Sequence, residues 1–157
     1  MFNFLGLIRF MEIRRYRFNR KSGKIFQEQG EKLLETENLR VIILWASEPK
    51  FAQPFPHLAA QYWVQLTFID SESNFCYAML NNGSTEALSS WFDYKNEISQ
   101  RGLTLREVIT RIELTEIEKE VFHYSFHGLP AKPSLKEKID NLLNENKYPL
   151  IDLSIQY

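Results

Sequence analysis

The chain has 157 residues, of which 44% are hydrophobic, 14% aromatic and 25% charged, with a net charge of −1, the balance of a single soluble globular domain. Its one cysteine, Cys76, excludes an intramolecular disulfide and makes a cytoplasmic setting the expectation. Its six glycines do not cluster, so neither a phosphate-binding loop nor a dinucleotide fingerprint can be drawn, and no Gly-x-Ser-x-Gly elbow is present.

The small net charge hides a split. Residues 1–24 carry seven basic side chains and one acid, a net +6, and the remainder carries −7. Such a division implies either a basic partner surface at the front or a front segment laid against the acidic remainder.

Met1 to Phe10 is apolar but is interrupted by Arg9 and is too short to span a membrane. It reads as a tail or an upstream start, because Met11 offers a second beginning. Arg9 to Phe18 reads as a strand, Asn19 to Gly23 as a turn and Lys24 to Gln27 as the returning strand of a hairpin. Glu28 to Glu37 is ambiguous. Leu33 and Leu34 among Glu and Lys fit a short helix, which Gly30 weakens by about 1 kcal/mol. Leu39 to Trp45 is nearly all apolar and predicts a central strand buried on both faces. Ser47 to Ala60 holds Pro49, Pro54 and Pro56, and reads as a long loop carrying Phe51 and Phe55.

Gln61 to Leu80 organises the chain. Tyr62, Val64, Leu66 and Phe68 alternate with Trp63, Gln65, Thr67 and Ile69, and a polar loop, Asp70 to Asn74, leads into a second strand from Phe75. A helix is expected from Ser84 or Thr85 to about Arg101, ended by Gly102. Capping pairs at Thr104/Glu107, Thr115/Glu118 and Ser134/Glu137 predict further helices, one restarting at Thr115 and ending near His127, another over Leu135 to Asn146. Ile151 to Tyr157 alternates as a strand would. The expected fold is therefore one α+β domain over residues 1–157. Its sheet is mainly antiparallel, built from the N-terminal half plus a C-terminal strand, and three to four helices from the C-terminal half cover one face.

Little in the chain suggests catalysis. His123 and His127 share a face of the predicted helix and fit two ligands of a metal site, with Cys76 or His57 as a third. The competing reading places His127 at a helix C-terminus and His123 at the core boundary. Cys76 reads as a small buried hydrophobe, and Glu113, Glu116, Glu118 and Glu120 as a solvated helix face. No cofactor is expected.

The functional expectation is a small non-catalytic accessory or adaptor protein that binds another protein. Two segments would carry the contact. One is the basic hairpin with Arg14, Arg15, Arg17, Arg20 and Lys21, and the other is the Pro/Phe loop with Phe51 and Phe55. One alternative is nucleic-acid binding by the hairpin, since guanidinium groups neutralise phosphates and rings stack on bases. The acidity of the remaining chain argues against it. The other alternative is a metal-dependent enzyme using His123 and His127.

Overall fold

The computed structural model describes residues 13–29, 32–36, 39–82 and 86–146. Nine strands and two helices follow in order: β1 (Arg14–Asn19), β2 (Lys24–Gln29), β3 (Lys32–Thr36), β4 (Leu39–Ala46), β5 (Lys50–Ala52), β6 (Gln61–Asp70), β7 (Phe75–Asn82), α1 (Glu86–Gln100), β8 (Val108–Glu118), β9 (Val121–Pro130) and α2 (Pro133–Asn146). A single 3-10 turn, Leu105–Glu107, precedes β8.

The β6–β7 hairpin forms where its alternation predicts. Val64 pairs with Leu80, Leu66 with Ala78 and Phe68 with Cys76. All six are fully buried on the inner face. Asp70 closes the turn by accepting the backbone N–H groups of Glu72 and Asn74 at 3.0 and 2.9 Å. Ser73 takes the left-handed conformation, with φ 64°.

The strands form one curled sheet in the order β3-β2-β1-β7-β6-β4-β8-β9, with β5 also paired to β6. The β1–β7 pair is parallel and the other pairs are antiparallel. Helix α1 packs on the inner face through Leu88, Trp91, Tyr94 and Ile98, against Val64, Leu66, Val108, Ile112 and Phe126. Each such side chain removed from water contributes about 1.5–3 kcal/mol. Gly128 of β9 allows the close approach of α1, because a Cβ there would stand 2.7 Å from the Tyr94 hydroxyl.

The outer face is covered as well. Ile139 of α2 joins Ile42, Leu44 and Ile69, with Leu135 and Leu143 packed alongside. The loop after β4 lies over β6. Trp63 Nε1–H donates to the Ala52 carbonyl at 3.2 Å, the Phe55 ring lies 5.8 Å from the Trp63 ring, and Pro54 is buried.

The expected fold class is corrected on three counts. The sheet, expected to be mainly antiparallel, is mixed, with β1 and β7 running parallel. It continues through the C-terminal half, where the expected helices are the strands β8 and β9. Cover comes on both faces from two α-helices and a loop, not on one face from three or four helices. The physical reason lies in residues 108–126. Val108, Ile109 and Ile112 satisfy a helical stripe, but Val108, Thr110, Ile112 and Leu114 also alternate with period two, and all but Leu114 are β-branched. Burial follows the second pattern: Val108, Thr110 and Ile112 are fully buried.

Thr104 and Glu107 do pair, with the Thr104 N–H and hydroxyl both donating to Glu107 Oε1, yet they hold only the 3-10 turn. The Thr115/Glu118 spacing falls inside β8, and the hairpin turns at Glu120, with φ 62°. Residues 32–36, ambiguous with a helical leaning in the sequence, are strand β3. The Ile151 to Tyr157 strand, the Met1 to Phe10 tail and the Ser84 and Thr85 caps lie outside the described residues.

Candidate partner-binding surface

The basic front segment becomes the β1–β2 hairpin, and its arginines engage other parts of the chain. Arg17 Nε lies 2.7 Å from Glu28 Oε1 on the neighbouring strand. Arg14 Nη1 lies 3.2 Å from Glu72 Oε2 in the β6–β7 turn. The Arg15 guanidinium stands 5.8 Å over the Tyr77 ring. Arg20 donates to the carbonyls of Phe122 and Asn81 at 3.0 and 3.1 Å and stands 5.5 Å over the Tyr124 ring. It thereby joins the hairpin turn to β7 and β9. Lys21 is exposed in the turn, its backbone N–H donating to Asn19 Oδ1. The front of the chain is therefore laid partly on its own fold, although its ion pairs are partly exposed and individually weak.

The rings interleaved with these arginines turn inward. Tyr16 is buried, and Phe18 packs edge-on against Tyr124 at 5.5 Å. Neither is presented for stacking. Of the two loop aromatics, Phe55 folds back onto Trp63 and His57. Phe51 remains 58% exposed, with its edge toward Tyr62.

Under the hairpin lies a polar network that sequence reasoning missed. The Tyr16 hydroxyl donates to Asp70 Oδ2 at 2.9 Å, and Gln27 Nε2 donates to the Tyr16 oxygen at 3.0 Å. The Cys76 thiol also points at Asp70 Oδ2, 3.5 Å away. Burial pushes the Tyr16 hydroxyl well above its ordinary range, and the Asp70 carboxylate adds to the shift. The same two causes raise the Cys76 thiol, so it is held protonated, away from the thiolate a nucleophile needs. The only sequence signal for this network is an acid heading a turn rich in Ser and Asn.

His123 and His127 lie on β9, not on a helix. Four residues along a strand separate their Cα atoms by about 13 Å, too far for one metal ion. His127 Nε2 instead lies 3.7 Å from Glu113 Oε2, and Arg111 pairs with the same carboxylate at 2.9 Å. Among the described residues no three His, Cys, Asp or Glu side chains gather to hold a metal ion. Glu116 and Glu118 are exposed on β8, and Glu120 is exposed in the following turn.

A shallow open depression of about 330 Å³ lies where the β2–β3 hairpin meets β8. Ile25, Thr36 and Ile112 line it, with Lys24, Glu35 and Glu113 at its edge. Lys24 Nζ is 3.6 Å from Glu35 Oε2. These groups are already paired, which suits a surface better than a reaction centre.

Beside this depression runs β3. Lys32, Leu33, Leu34 and Glu35 are all exposed, and among the described residues β3 pairs with β2 alone. The register sets Leu34 opposite Gln27 and Leu33 opposite Glu28. Gln27 faces inward to Tyr16, so Leu34 shares the inner side and Leu33 the outer. Leu33 is 49% exposed and Leu34 44%. Their adjacency looks like a fragment of helix stripe in the sequence, which hid the edge.

No protein-family model matches the chain, and neither a curated protein nor a solved structure matches it. Among the described residues no helix is long and apolar enough to cross a membrane.

Proposed function

We propose that this chain is a small non-catalytic accessory protein that acts by binding another protein, and that its contact surface is the wing formed by β1, β2 and β3. The observation that carries the reading is β3, which among the described residues ends the sheet and carries two exposed leucines. Proteins ordinarily shorten, charge or cover such an edge, because its free N–H and C=O groups recruit other strands. Here Lys32 and Glu35 flank the leucines without covering them.

The basic hairpin belongs to the same wing, so the proposed surface joins its exposed basic side chains to β3. Phe51 supplies a separate exposed ring, whereas Phe55 serves the fold. The inward rings of Tyr16 and Phe18 give the nucleic-acid alternative no support.

The test is capture of partners from a native-host lysate with wild type, with Lys32→Glu/Leu34→Thr and with Glu116→Lys as a control on β8. A partner recovered by wild type and by the control, and depleted by the β3 double variant, supports the proposal. Identical recovery by all three would sink it.

A further inference from the structure

We infer that the partner presents an extended acidic segment, which adds as a strand to the free edge of β3. This rests on the accessory reading above and names its ligand class. Three observations converge. First, β3 ends the sheet and pairs only with β2 among the described residues, so its outer N–H and C=O groups have the geometry for strand addition. Second, Leu34 and Leu33 stand on opposite faces of the sheet. An added strand would therefore meet an apolar neighbour on each side, and its alternate residues would all find contact.

Third, the charge is complementary to an acid. Residues 13–36 carry seven basic and three acidic side chains, a net +4, while residues 37–157 carry a net −5. Positive charge is thus concentrated on the wing that bears the open edge. Lys32 opens β3 and is exposed, whereas Lys24, at the β2 end of the adjoining depression, is paired with Glu35. The depression touches β3 at Glu35 and Thr36 and gives one side chain of the added strand a place to settle. Backbone bonds would supply affinity, and the leucines and Lys32 would supply selectivity.

The experiment uses the full chain and two synthetic peptides, one alternating Val with Asp or Glu, the other alternating Val with Lys. Each is titrated to millimolar concentration while backbone amide shifts and hydrogen exchange are followed. The acidic peptide should shift and protect amides 32–36, bind roughly fivefold more weakly to Lys32→Glu, and weaken as salt is raised. The lysine peptide should leave these amides unchanged.

Equal effects of both peptides, or none from either, would overturn the inference. Protection of the outward-facing β3 amides, those not bonded to β2, before any peptide is added would also overturn it. If that protection grew with protein concentration the occupant would be a second copy, and if it did not, the occupant would be the chain's own strand. A partner depleted by the β3 double variant in the lysate test, with no acidic-peptide response here, would retire the strand-addition inference and leave the accessory reading standing.

Discussion

Substituting Asp70 by alanine should loosen the attachment of the wing to the rest of the sheet. The β1–β7 pairing spans only three residue pairs, Arg14 to Tyr16 against Cys76 to Ala78. The Tyr16–Asp70 hydrogen bond reinforces it. Tyr16 is 5% exposed and Asp70 6%, so water does not readily replace the lost acceptor. A hydrogen bond to a charged group contributes about 1.5–3 kcal/mol. Taking about 2 for the Tyr16 bond and about 0.5 for each of the two partly exposed turn amides gives a loss of about 3 kcal/mol. For a chain of this length that lowers the Tm by about 6–12 °C.

Tyr16→Phe should cost about 2 kcal/mol, because it removes the bond to Asp70 and the acceptor the Tyr16 oxygen offers Gln27. The double variant should cost about 2 kcal/mol less than the two single losses together, since they share one bond. Urea unfolding followed by tryptophan fluorescence measures all three. A loss below about 1 kcal/mol for Asp70→Ala, or strict additivity of the pair, would refute the account of the network.

Glycine 23 has φ +73°, and a Cβ there would run into the Phe122 ring, so Gly23→Ala should cost roughly 2–4 kcal/mol. Gly102 has φ +75° with open space around it, so Gly102→Ala should cost only about 1 kcal/mol; equal losses in thermal melts would contradict the packing of the β1–β2 turn on β9. Arg20→Ala should cost about 1–3 kcal/mol through its carbonyl bonds and ring contact, and Arg17→Ala about 0.5 kcal/mol or less, as read by denaturant midpoints.

Stability should also fall in alkali. Burial raises Tyr16, Tyr94 and Tyr124 above the ordinary tyrosine value of 10.0, Tyr124 to about 12. The folded chain then keeps protons that the unfolded chain gives up, so this contribution is complete below pH 10 and is lost as pH rises beyond it. Each tyrosine removes up to about 1.4 kcal/mol per pH unit in that range. Urea midpoints unchanged between pH 9 and 11 would show that these hydroxyls are not buried.

Strands whose one-dimensional pattern admits a single reading were legible without coordinates. The run Leu39 to Trp45 is too apolar for anything but an interior strand. The alternation of Tyr62 to Ile69 around an Asp-Ser-Glu-Ser-Asn turn leaves little but a hairpin. Gly23 and Gly102 mark chain reversals because only glycine takes their positive φ at low cost. Lys21 and the arginines around it likewise mark a hairpin, and Pro54 and Pro56 a loop, although Lys50–Ala52 within the expected loop forms β5. Residues 104–130 were different. Their capping pairs and apolar spacing suit a helix, their β-branched residues suit strands, and isolated propensity differs by too little to choose.

Tertiary packing made that choice. Val108, Thr110 and Ile112 extend the sheet beside Leu39 and Val41 and meet α1. Buried area therefore outweighs the local capping bonds, which the fold spends on one 3-10 turn. Only the folded chain could bring Tyr16, Gln27, Asp70 and Cys76 together, since 54 residues separate the first hydrogen-bonded pair. The sequence by itself determined the turns at Gly23, at Asp70 to Asn74 and at Gly102, but not the one at Glu120. The assembled sheet decided which arginines are engaged and which strand is left at its edge, because both depend on neighbours far away along the chain.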